Sequence, residues 1–104
     1  IKNLKDSNSV VNFYVNENLI ENTYFSTHSN KLIINEKFFQ QPHEIIFRSF
    51  SDSIKLIGKK HYSVRGKKLD KIIYDIKRNG LFRATIGNCI IEKVNQSIII
   101  TKEH

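Results

Sequence analysis

The residues of this chain best suited to chemistry are cationic. Between Lys55 and Arg83 stand ten Lys or Arg (Lys55, Lys59, Lys60, Arg65, Lys67, Lys68, Lys71, Lys77, Arg78 and Arg83) and two acids, Asp70 and Asp75. Ten against two gives this segment +8, where the whole 104-residue chain carries +7. The positive charge is therefore concentrated, as in proteins that bind polyanions, most often nucleic acid. At about 100° per residue, Lys67, Lys71, Tyr74 and Arg78 share one face of a helix. Cations contact phosphates, and an aromatic among them can stack on a base. The plainer reading is a solvated helix face in a chain rich in Ile, Lys and Asn.

Other chemistries find little support. His28, His43, His61 and His104 are widely separated, and with one cysteine they make no zinc-site spacing. Cys89 falls in a predicted strand, where a free thiol is usually buried and inert. Arg65-Gly66-Lys67-Lys68 lacks the second glycine and the preceding strand of a phosphate-binding loop. The acids are dispersed, so a self-sufficient enzyme is not expected. A lone cysteine makes no internal disulfide, and a reducing, cytoplasmic setting is the default expectation. No apolar run approaches the roughly 18 residues of a membrane span, so no membrane partner is expected. The first ten residues lack the apolar core of a signal peptide and the sequence holds no methionine, so a piece of a longer protein is expected.

The elements that must position the cations follow from periodicity. Length bounds the chain to one domain, residues 1–104. After a frayed entry over residues 1–6, the spacing of Val11, Tyr14, Val15, Asn18 and Leu19 predicts a helix over 7–21, capped by Asp6, Ser7 or Ser9. Phe13 and Ile20 give it a second apolar side. Such a helix is either sandwiched between layers or deprived of a partner, and both readings stay open. Residues 23–26 and 31–34 read as a short hairpin around a polar turn. Asn35 caps a turn that presents Phe38 and Phe39 to the core. Pro42 suits the first position of a helix running to about Ile57, with Ile46, Phe50, Ser53, Ile54 and Ile57 on one face and Gly58 as a left-handed cap. The basic connector 59–64 leads to a helix over 65–79, with the apolar stripe Leu69, Ile72, Ile73 and Ile76, ended by Gly80. Residues 82–86, 88–94 and 97–101 read as three strands, with a bend or bulge at Gly87 and a tight turn at Asn95-Gln96. The expected fold is α+β: a mainly helical part with a short hairpin over 1–80, then a three-stranded antiparallel meander over 81–104.

In order, Gly58, Lys59, Lys60, Tyr62 and Arg65 precede a basic helix. A T-x-G-x-C strand follows (Thr85, Ile86, Gly87, Asn88, Cys89), then Ile90-Ile91-Glu92-Lys93 and a last Ile98-Ile99-Ile100 strand. This ordered set resembles the C-terminal part of bacterial tRNA(Ile)-lysidine synthases, especially the alphaproteobacterial type, over residues 24–103. Leu32-Ile33-Ile34-Asn35, Phe38-Phe39 and Pro42 resemble that family's entry to its substrate-binding helical domain. In the family the connector commonly reads G-K-x-Y-x-P-R and the strand T-L-G-G-C. Here Val64 stands for the proline and Asn88 for the second glycine, a residue that also tolerates left-handed geometry.

The resemblance implies a specific role. Such enzymes adenylate the wobble cytidine of a tRNA(Ile) with a CAU anticodon, and lysine then displaces AMP. The chemistry, with its ATP, Mg and lysine, belongs to an N-terminal catalytic domain carrying an S-G-G-x-D-S loop. That loop is absent from this sequence, so this segment is expected to bind no cofactor. The implied partners are tRNA and the catalytic domain. Lys59, Lys60, Lys67, Lys68, Lys71 and Arg78 would contact phosphates, and Tyr62 or Tyr74 would stack on an unpaired base or pack in the core. Arg65, if the helix begins there, points toward Leu69 and Ile72 and anchors the connector; if the helix starts later, it reaches RNA. The alternative is an interaction module, with the basic residues and the Phe13–Ile20 side docked on another domain.

Overall fold

In the computed structural model, the described residues are 4–59, 66–78, 80 and 82–103. Helix α1 runs Leu4–Asn22, and the hairpin strands β1 and β2 follow at Thr23–Ser26 and Lys31–Ile34. A 3-10 turn, Glu36–Gln40, leads to α2 (His43–Gly58) and α3 (Gly66–Arg78). The chain finishes with β3 (Phe82–Ile86), β4 (Cys89–Val94) and β5 (Ser97–Lys102). The fold is α+β.

The expected three-stranded meander is present but is only part of the sheet. All five strands form one antiparallel sheet in the order β1-β2-β5-β4-β3. The joining pair is β2 with β5, with Leu32 opposite Ile100 and Ile34 opposite Ile98. An isolated two-stranded hairpin is marginal in water. Pairing its second strand to β5 lets Leu32 and Ile34 enter the core, where they are almost fully buried.

Side-chain alternation divides the sheet into two faces. Leu32, Ile34, Ile86, Cys89, Ile91, Ile98 and Ile100 meet Ile46, Phe50, Ile54 and Ile57 of α2 and Leu69, Ile72, Ile73 and Ile76 of α3. The opposite face carries the cross-strand row Tyr24, Ile33, Ile99, Glu92 and Arg83. Ile33 and Ile99 are only half-buried there, and Tyr24 is exposed.

Helix α1 corrects several expectations. It begins by Leu4, so Asp6, Ser7 and Ser9 lie inside it rather than cap it. Its buried side is Val15, Asn18 and Asn22, while Val10, Phe13, Tyr14 and Ile20 are exposed. Tyr14 therefore points away from the core. The helix sandwiched between layers is α2, with the sheet on one side and α1 on the other. Asn18 makes that second contact specific: its Nδ2 donates to Ser49 Oγ of α2 (3.2 Å) and to the Phe38 carbonyl (3.4 Å). Its Oδ1 accepts from Asn22 Nδ2 at 2.8 Å. A polar residue at this interface satisfies its hydrogen bonds across three segments.

The boundaries of α2 also differ in detail. Pro42 is the flanking residue before the helix rather than its first residue. The left-handed cap is Lys59 (φ 56°), and Gly58 is the last helical residue. Glycine at 58 serves close approach: a Cβ there would lie 2.0 Å from the Gly87 carbonyl oxygen. Asn35 caps the 3-10 turn as expected, its Oδ1 accepting from the Phe38 amide at 3.2 Å. Gly87 and Asn88 form a two-residue hairpin turn, both with positive φ (57° and 67°), which is the geometry of a type I′ turn and not a bulge. Among the described residues no helix is long and apolar enough to cross a membrane.

Candidate nucleic-acid interface

Helix α3 forms because Leu69, Ile72, Ile73 and Ile76 recur at helical spacing and bury against the sheet layer. That burial decides which way the rest of the helix points. Lys67, Lys68, Lys71, Tyr74, Lys77 and Arg78 are all exposed. Five cations and two acids leave the helix at +3. Lys77 and Arg78 lie in the last turn, where positive charge also complements the helix dipole.

Both acids of α3 have partners. Asp75 receives Lys71 Nζ at 3.5 Å. Asp70 Oδ1 meets His43 Nε2 at 3.0 Å, which ties the first turn of α2 to α3. Arg78 donates to Tyr74 Oη, and its guanidinium carbon stands 5.1 Å from the Tyr74 ring centroid. These two residues, one turn apart, hold each other on the surface. Lys93 Nζ of β4 donates to the Ile76 carbonyl at 2.8 Å, satisfying one of the carbonyls left open at the end of α3.

The expected site residues thus separate into three groups. Lys67, Lys68, Lys71, Tyr74 and Arg78 stand together on α3, exposed. Lys59 is exposed but closes α2 instead. Lys60, Tyr62 and Arg65 lie outside the described residues. Periodicity missed three neighbours of the site, His43, Asp70 and Lys77. They line one cleft with Lys71, Ile73 and Tyr74 between the start of α2 and α3. Only the i, i+3 and i+7 spacing of Asp70, Ile73 and Lys77 could have signalled this from sequence, and nothing local links them to His43.

Elsewhere the geometry offers little chemistry. Cys89 is fully buried, with Sγ 3.4 Å from the Ile54 carbonyl. Burial pushes its thiol up to about 11, so it is protonated and unreactive at neutral pH. A second cleft, between α1 and α2, holds Glu44 and Arg48, which pair at 2.7 Å, and Asp52. Partial desolvation in that cleft raises the Asp52 carboxyl, opposed by Lys55 and Arg48. Among the described residues no group of three or more His, Cys, Asp or Glu is placed to hold a metal ion. No family model matches the chain, and no curated protein or solved structure matches it significantly.

Proposed function

We propose that this chain is a non-catalytic RNA-binding domain that grips the phosphate backbone with the exposed face of α3. The observation that carries the reading is the common exposure of Lys67, Lys71, Tyr74, Lys77 and Arg78, with Asp70 engaged by His43 and Asp75 by Lys71. Clustered cations of this kind supply affinity through counterion release, with little sequence preference.

The finer assignment is the tRNA-binding part of a tRNA(Ile)-lysidine synthase. It rests on the ordered residues Gly58 to Arg65 and Thr85 to Cys89. On that reading ATP, Mg and lysine are used in a separate catalytic domain of a cytoplasmic enzyme. This chain contributes remote binding energy that positions the anticodon. The test is titration of the chain with an unmodified tRNA(Ile) transcript bearing a CAU anticodon across a salt series. Salt-sensitive binding that Lys67→Glu with Lys71→Glu weakens supports the reading; binding unchanged by the double substitution refutes the surface.

A second reading, an interaction module, is favoured by α1. Phe13 and Ile20 are 58% and 78% exposed, and Val10 and Tyr14 extend the same apolar side. Exposed apolar residues grouped on one helix mark a contact surface. Under this reading the α3 cations meet acids of another domain, and tRNA does not bind.

A further inference from the structure

Phosphate contact leaves one feature beside α3 unused. The cleft between the start of α2 and α3 has a volume of about 420 Å³. Tyr74, 56% exposed, provides an aromatic and apolar wall, with the buried Ile73 beneath it at the floor of the cleft. His43 and Asp70, hydrogen-bonded at 3.0 Å, supply donor and acceptor groups. Lys71 and Lys77 add ammonium groups. The Tyr74 ring is held by Arg78, which donates to its hydroxyl. Apolar and aromatic walls, hydrogen-bonding groups and cations in one place suit a flat heteroaromatic ring attached to phosphates.

We propose that this cleft receives one unpaired base of a single-stranded RNA segment, stacked on Tyr74, with the flanking phosphates on Lys71 and Lys77. The proposal rests on the RNA-binding reading above and sharpens it from charge to base. Asp70 is an acceptor facing the cleft, suited to an amino or imino donor on the edge of the base. Lys71 exchanges its contact with Asp75 for a phosphate, a low-cost step because the contact is long and the Lys71 side chain is exposed. A base inside a duplex is stacked and paired, so it must be extruded before it can enter, at a cost the single strand does not bear.

The experiment is fluorescence anisotropy of the whole chain with three labelled probes of about ten nucleotides, a length within one binding site's usual span. They are an unstructured RNA strand, the blunt duplex of the same sequence, and an abasic strand of equal length. The unstructured strand is expected to bind at least about 5-fold tighter than the abasic one, the lower range for stacking a single base. Tyr74→Ala should remove that difference and Tyr74→Phe should keep it. Tyr74 is 56% exposed, so neither substitution opens the core. Equal binding of the abasic and base-bearing strands overturns the proposal, as does a Tyr74→Ala loss of equal size for both. If all three probes bind equally with steep salt dependence, the cleft assignment fails and RNA binding stands. If none binds, both fail.

Discussion

Gly58 approaches the Gly87 carbonyl so closely that the end of α2 has no room for a methyl group there. A Cβ on Gly58 would stand 2.0 Å from the Gly87 carbonyl oxygen and 3.1 Å from Cys89 Sγ. The obstacle is backbone, so relief requires moving either the helix or the hairpin turn. Gly58→Ala is expected to destabilise the fold by ~3 kcal/mol, the upper range for overpacking. Urea denaturation measures it, and a loss below about 0.5 kcal/mol, ordinary for a surface change, would show that the junction yields freely.

Asn18 joins α1 to α2 and to the 3-10 turn through hydrogen bonds that the described structure buries. Asn18→Leu removes the donor to Ser49 and to the Phe38 carbonyl, and leaves Asn22 Nδ2 without its acceptor. A loss of about 2 kcal/mol is expected, because buried polar groups lose partners without regaining water. Asn18→Leu with Ser49→Ala should recover part of it. A single substitution that leaves the denaturation midpoint unchanged would mean that α1 contributes little to the folded state.

Cys89 gives a pH dependence of defined sign. Burial raises its thiol to about 11; the Gly58 backbone hydrogen bond opposes this and the Glu103 charge adds to it. An unfolded thiol titrates near about 8.5. Between roughly pH 8.5 and 11 the unfolded chain loses this proton first, so the Cys89 contribution to stability falls as pH rises through that window and is constant below it. The comparison is wild type against Cys89→Ala across that range, since other groups cancel in the difference. At neutral pH a thiol reagent should label Cys89 only at the rate of unfolding; rapid labelling of the native chain would contradict its burial.

The α3 face should report its charge through salt. Lys67→Glu with Lys71→Glu changes the local charge by about four units, and the log–log salt slope for a single strand should flatten by about 1.4 if both lysines contact phosphate. Circular dichroism should show the same helix content, since both side chains are exposed. An unchanged slope would place the phosphate contacts elsewhere.

His43 and Asp70 separate base contact from charge. Asp70→Asn retains a hydrogen-bonding side chain but removes the carboxylate facing the cleft. It is expected to strengthen binding of an abasic strand by the loss of a negative charge, while reducing the advantage of a base-bearing strand. Equal gains for the two strands would remove Asp70 from the base contact.

The sequence by itself determined the elements and their types. The stripe Leu69, Ile72, Ile73 and Ile76 specifies both α3 and its buried side, so the exposure of Lys67, Lys71, Tyr74 and Arg78 follows from the same 3.6-residue period. Asn35 before Phe38 specifies a cap, because its side chain acts on its own neighbouring backbone, whereas Gly87-Asn88 read as a bend or bulge entering a strand and became a type I′ turn only with the β3–β4 pairing. Tertiary structure alone decided what those elements meet. The β2–β5 pairing joins residues far apart in sequence, and a strand's local alternation does not name its partner. Which of the two sides of α1 faces inward was settled by packing on α2, which buries Val15, Asn18 and Asn22 and leaves Phe13 and Tyr14 exposed. The need for glycine at 58 arises only where Gly87 arrives against it. The cleft beside Tyr74 exists because packing α2 on α3 brings His43 to Asp70, a contact between side chains that share no element and no local period.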